Sequence, residues 1–261
     1  MFASVVLPPP PGEAARSGFG TVAVTSGRFA PRIEIVGGPA KGAGEGAGRG
    51  AATGAVGTIA VGAHGGPYGA IAGLMLAPVG AVVGGIAGAI VAEPAVKIEE
   101  RENAARVIVA AQRIQDNLRD RVVAAGRDLT PHTLIALADR GPSAAVERPD
   151  YRSLLQEGIQ TVLEVGVESV TLENSAWGPI PIDPYLWLVM TVKTRLVHTA
   201  DNAELYANSL TYTGENGRTL TEWVGGPGGF RDELHHAYAV LAEKIVEEVF
   251  LLILFPSRDK G

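Results

Sequence analysis

Cysteine is absent from this 261-residue sequence. For these residues that excludes disulfides, thiolate metal sites, cysteine nucleophiles and lipid attachment through an N-terminal cysteine. A basic surplus is also missing: 22 Lys and Arg stand against 28 Asp and Glu, for a net charge of −6. Phosphate backbones are held by a basic face, and no Lys/Arg stripe or aromatic stacking platform is present, so nucleic acid is not an expected partner. Charge of either sign disappears from Gly50 to Ala92. Within that stretch, "GAIAGLMLAPVGAVVGGIAGAIVA" (69–92) has no hydrogen-bonding side chain at all.

Catalytic signatures are scarce as well. The Gly-rich run "GGPAKGAGEGAGRGAATG" contains no GxxxxGK[ST], and Gly48, Gly50 and Gly54 make only a GxGxxxG, which is not a phosphate loop. HExxH and GxSxG do not occur. Of the five histidines, His64 falls in a turn, His132 and His198 in strand-like segments, and His235 and His236 are neighbours. Asp232 and His236 share a helix face, but a metal needs more ligands. The acids of "EVGVES" and "EKIVEE" read as solvated faces. Trp177, Trp187 and Trp223 read as core or edge packing, with a ligand groove over Trp187 and Trp223 as the alternative. No catalytic set, cofactor or metal is expected, and the chain reads as a non-enzyme.

What is abundant is glycine, 34 residues, concentrated in positions 37–88. Small residues recur every fourth position: Gly46, Gly50, Gly54; Gly65, Gly69, Gly73; Gly80, Gly84, Gly88 and Ala92. On a helix this spacing makes a flat groove that admits another backbone. Val79, Val83, Ile86 and Ile90 fall on a different face. "HGGPY" (64–68) reads as a turn, with Pro67 suited to opening a second helix. The expected hairpin has helices at about 46–63 and 68–92, roughly 27 and 37 Å long at 1.5 Å per residue, near the ~30 Å hydrocarbon thickness of a bilayer. Lys41, Glu45 and Arg49 flank one outer end and Glu93 and Lys97 the other, so both ends would lie on one side of a membrane. The nine Leu, Ile and Val of 69–92 favour insertion by only about 3–5 kcal/mol, and Pro78 interrupts the helix hydrogen bonding. Such a hairpin needs partners. Packing against its own soluble domain is the competing reading.

The remainder reads as an α+β domain with an antiparallel or mixed sheet and helices on one face. Residues 1–20 form an extended Pro-rich segment in which "PPPP" (8–11) is a stiff spacer. No signal peptide is read at the start: no basic residue precedes Arg16 and the apolar run is short. Residues 21–40 hold the first strand or strands, within "TVAVTSGRFAPRIEIV" and broken near Arg28–Pro31. Residues 41–96 are the insert, 97–255 the rest of the domain, and 256–261 a tail. One long helix is predicted from Lys97 to about Ala125 on the stripe Ile108, Ala111, Ile114, Leu118, Val122 and Ala125, with Gly126 as its cap. "HTLIALA" is a short extended segment and "PDYRSLLQEG" a short helix. "TVLEVGVESVTLE" is a strand with a bulge near Glu168–Ser169. Residues 185–199 and 203–213 make a long hairpin. The last helix runs from about Phe230 to Leu254 on Leu234, Tyr238, Leu241, Ile245, Val249 and Leu252.

The small-xxx-small residues of 46–92 resemble the glycine-zipper segments of bacterial envelope proteins. "GTVAVTS", "RIQDNLRDRVVAAG", "YRSLLQEGIQTVLEVGVESV", "RLVHTADNAELYANSLTY" and "AYAVLAEKIVEEVF" follow in an order similar to the α/β module of periplasmic lipoproteins. These include the curli secretion channel subunit and the activators of penicillin-binding proteins. Members of that group are lipid-anchored through a cysteine this sequence lacks. The resemblance implies a non-enzymatic envelope protein, periplasmic and outer-membrane associated, that assembles or scaffolds. Its implied partners are membrane lipid, identical subunits or other envelope proteins. A soluble ligand- or partner-binding module is the alternative.

Overall fold

The computed structural model describes residues 19–45, 47–49, 51–52, 93–174, 181–226 and 228–251. The chain is α+β: a six-stranded mixed sheet covered by helices. The expected Pro-rich segment before Phe19, the two hairpin helices beyond residue 52 and the tail lie outside the described residues.

β-branched residues dominate β1 (Thr21–Ser26) and β4 (Thr161–Glu173), the central strands. β1 lies parallel to both β3 (Thr133–Leu137) and β4. β2 (Arg32–Val36) continues the same edge, pairing parallel with Ser169–Glu173 after β1 has paired with Thr161–Val165. One thirteen-residue strand thus serves two short ones, and the expected break near Arg28–Pro31 separates them. β4 then pairs antiparallel with β5 (Trp187–His198), and β5 with β6 (Glu204–Thr213). The register shifts between Val167 and Ser169, where the bulge is read from sequence. Gln115 fills that bulge. Its amide donates to Val167 O at 2.9 Å and to Phe29 O at 3.2 Å, and its carbonyl accepts from Val167 N at 2.9 Å. The bulge and the β1–β2 break are therefore satisfied by one side chain.

The predicted long helix is two helices, α1 (Ala95–Ala110) and α2 (Ile114–Leu129). The reason lies in the stripe. Buried positions step through Ile98, Glu102, Ala105 and Val109, then jump five residues to Ile114 before resuming at Leu118 and Val122. A continuous helix would carry Gln112 and Arg113 into the core. Gly126 does not cap α2, which continues three residues further. A Cβ there would stand 2.2 Å from Leu134 Cδ2, so glycine lets α2 approach β3.

Two further corrections concern the second half. "PDYRSLLQEG" forms a 3₁₀ helix (Arg152–Glu157), ended by Gly158 at φ +79°. The last helix is preceded by an unforeseen short one, α3 (Leu220–Gly225), started by a Thr219/Glu222 capping box. The last helix itself, α4 (Gly229–Val246), passes into a π-turn at Glu247–Leu251. Its predicted stripe from Leu234 to Val249 is buried. The main core joins α1, α2, α3 and α4 to one face of the sheet. A smaller cluster of Tyr151, Leu154 and Ile159 covers Ala23, Val162 and Val197 on the other.

Candidate functional site at the root of the insert

The described ends of the 41–96 insert meet. Ala40, 1 % exposed, donates its amide to Ile182 O at 2.8 Å, and Gly42 N donates to Glu93 O at 3.0 Å. Residues 42–45, 47–49 and 51–52 are helical. Gly42, at φ +78°, makes the turn into that helix, a conformation L side chains resist. Glu45 reaches back to accept Lys41 N at 2.8 Å, satisfying an amide that a helix start leaves free.

Ion pairs surround this junction. Glu93 receives both terminal nitrogens of Arg101. Glu102, on the buried face of α1, receives Lys41 Nζ at 2.9 Å and Arg106 at 3.5 Å. Arg49 pairs with Glu45 and donates to Gly38 O at 2.6 Å and Pro181 O at 3.2 Å. The Lys41 amide bond holds the Glu45 carboxyl below its ordinary range, with help from Arg49. The Arg101 bond does the same for Glu93. Asp183 is shifted the other way, by partial loss of water and by the charges of Glu93 and Glu222, with Arg101 opposing. It still lies open to solvent at the rim, so this cost is small.

The arrangement is a charged collar at the base of an uncharged stretch. It can hold two stems together. Sequence reading found Lys41, Glu45, Arg49 and Glu93 as flanking charges. It missed Arg101 and Glu102, which sit in an ordinary charged run, and Asp183, a lone charge among prolines and apolar residues; each becomes part of the collar only through tertiary folding. The ten residues read as a helix-packing face lie outside the described residues: Gly46, Gly50, Gly54, Gly65, Gly69, Gly73, Gly80, Gly84, Gly88 and Ala92. No helix among the described residues is long and apolar enough to cross a membrane, and no group of three metal-ligating side chains stands together among them.

One sequence reading is overturned elsewhere. Glu164, taken as part of a solvated face, is 5 % exposed. It receives Arg195 through Nε and Nη2 at 2.7 Å each and Tyr151 Oη at 2.7 Å. Burial, reinforced by the Glu164 charge, pushes the Tyr151 phenol well above its ordinary range. This cluster pins the 3₁₀ helix to the sheet. Trp223 is core: it is 1 % exposed, and its indole N–H donates to Leu186 O at 3.0 Å. The reading of Trp223 as core packing holds.

Fold and root together define an α+β domain with an excursion that leaves and returns at one point. No protein-family model matches the chain, and no curated protein matches it significantly. Solved structures offer partial likenesses. A DUF330-family protein of Xanthomonas campestris is 15% identical over 55% of this chain, at TM-score 0.34. This chain spans 64% of that protein, just under two thirds of its length. The PelC dodecamer of Paraburkholderia phytofirmans is 12% identical over 52% of this chain and 74% of its own, at TM-score 0.33. A lipoprotein of Neisseria meningitidis is 12% identical over 87% of this chain and 99% of its own, at TM-score 0.26.

Proposed function

We propose that this chain is a non-enzymatic bacterial cell-envelope protein whose α+β domain presents residues 41–96 as a contact element. The partners of that element are membrane lipid, identical subunits, or both. The periplasmic side of the outer membrane is the proposed location. The observation that supports this reading is the junction of the two stems, Gly42 N to Glu93 O. A stretch free of charge from Gly50 to Ala92 leaves the domain and returns at one place, gripped there by ion pairs. Small residues every fourth position let backbones pack closely, which offsets the roughly 1 kcal/mol that each glycine costs inside a helix.

Detergent-free fractionation is the first test. The expected result is recovery with membranes or in large assemblies; a soluble monomer would overturn the reading. Gly84→Leu is the second. It is expected to abolish assembly or membrane recovery while the circular dichroism of the α+β domain stays unchanged. Assembly that survives this substitution counts against close packing through the glycines.

One observation favours the alternative, a soluble module with the stretch folded onto its own domain. Val96 and Val107 on α1 are 65% and 68% exposed. Eleven residues apart, they share one helix face with the exposed Glu100 and Asn103 between them, so a segment folded back onto it would meet two apolar contacts and a polar centre. Deleting 43–92 would then leave that face bare and lower solubility.

A further inference from the structure

Three aromatic rings meet where β1 begins and the π-turn after α4 ends. Phe19 and Phe250 are 2 % and 3 % exposed, with centroids 6.1 Å apart, edge to face. His132 stands between them, 5.7 Å from Phe19 and 5.5 Å from Phe250. It is fixed from below by its own amide, which donates to Thr130 Oγ1 at 3.2 Å. The ring therefore joins three separate parts of the chain: the start of β1, the α2–β3 connection, and the close of the last helix. Phe250 lies in a single π-turn, a rare, widened turn with i→i+5 bonds that is often found at functional sites.

We propose that His132 is a proton-operated latch: neutral, it binds the π-turn after α4 to the start of β1, and protonated, it releases the π-turn. The imidazole is half-buried against two phenyl rings, where a neutral ring packs as a hydrophobic body and a charged one loses hydration. Burial alone lowers the His132 pKa. The charged groups on the elements packed around it are Arg127 and Asp128 at the end of α2, and Lys244, Glu247 and Glu248 at the end of α4. None of them contributes to the shift. Glu248 is already engaged by Tyr206 Oη at 3.1 Å and Asn208 Nδ2 at 2.7 Å. Among the described residues, then, no carboxylate compensates an imidazolium there. The folded value lies below the unfolded 6.5, so the unfolded chain binds the proton more tightly. The contribution to stability is fully present above pH 6.5 and is lost as pH falls through the folded value.

The test uses the full chain. An NMR titration of the His132 ring is expected to give a midpoint below 6.5. Hydrogen exchange of the 246–251 amides, corrected for intrinsic rates, is expected to lose protection between pH 7.5 and 5.5. His132→Phe keeps a ring and removes the titration, and is expected to keep protection at both pH values. A midpoint at or above 6.5 would mean that the phenyl faces hold the cation, and it overturns the proposal. The same pH response in His132→Phe overturns it too. Should His132→Phe fail to fold, the ring titration and exchange of the unmodified chain decide.

Discussion

Removing the Arg195 side chain would leave Glu164 buried against a single phenol. Breaking a buried pair from one side costs about 3–5 kcal/mol, because a charge remains without compensation. Arg195→Ala is therefore expected to lower the urea midpoint by that equivalent. Glu164→Leu combined with Arg195→Met is expected to recover most of the loss, since it removes both charges together. If the double variant is as unstable as the single one, the pair does more than compensate itself. At the rim of the insert root the expectation has the opposite sign. Asp183 has a raised pKa, so the folded chain is favoured at low pH and disfavoured as pH rises through that value. Asp183→Asn is expected to raise Tm slightly at pH 7 and to leave it unchanged at pH 3. A Tm series across that range would show the two curves converging in acid; a constant offset would contradict the assignment.

At the scale of elements, glycine positions give the sharpest expectations. Alanine is a better helix former than glycine by ~1 kcal/mol, yet a Cβ at Gly126 meets the buried Leu134 side chain at 2.2 Å, and overpacking costs about 1–3 kcal/mol. Gly126→Ala should thus be a net loss in chemical denaturation, whereas a glycine needed only to end the helix would not feel Leu134. Gly141→Ala is more severe. The new carbon would stand 1.9 Å from the Ser26 carbonyl oxygen, a backbone atom that cannot swing aside, and no soluble folded protein is expected.

The same elements show what the sequence discloses. The alternation in 161–173, the Pro31 interruption and the apolar stripe of α4 are local patterns, and each is legible residue by residue. The helix break at Ala111–Arg113 was not read, because Ile108, Ala111 and Ile114 also fit one unbroken stripe. Only the burial of Val109 together with Ile114 shows the five-residue step. Glu164 was misread for another reason. Its partner faces it across the β4–β5 register, and a strand's own sequence does not state its register. The collar depends on tertiary contact in the same way: its acids and bases are spread from Lys41 to Glu222.

For the molecule as a whole, closing the sheet requires contacts distant in sequence. Thr21 N donates to the Gln160 side chain across 139 positions, so β1 cannot take its place until much of the chain exists, and folding should be slow for a domain of this size. Within that long loop, the bond from Gly42 N to Glu93 O brings the two ends of residues 43–92 together. The entropy of closing a loop grows only with the logarithm of its length, about 0.6 kcal/mol per doubling. Among the described residues, 43–92 is tied to the domain at this junction and through the bonds of Arg49 to Gly38 O and Pro181 O. A variant that joins position 42 to position 93 through a few glycines is expected to keep the near-ultraviolet dichroism of the parent. Other segments grafted between the same two residues should cost the host only about 0.6 kcal/mol for each doubling of their length. Lineages of such a domain would be free to lengthen or retune this contact element while the sheet beneath it stayed the same.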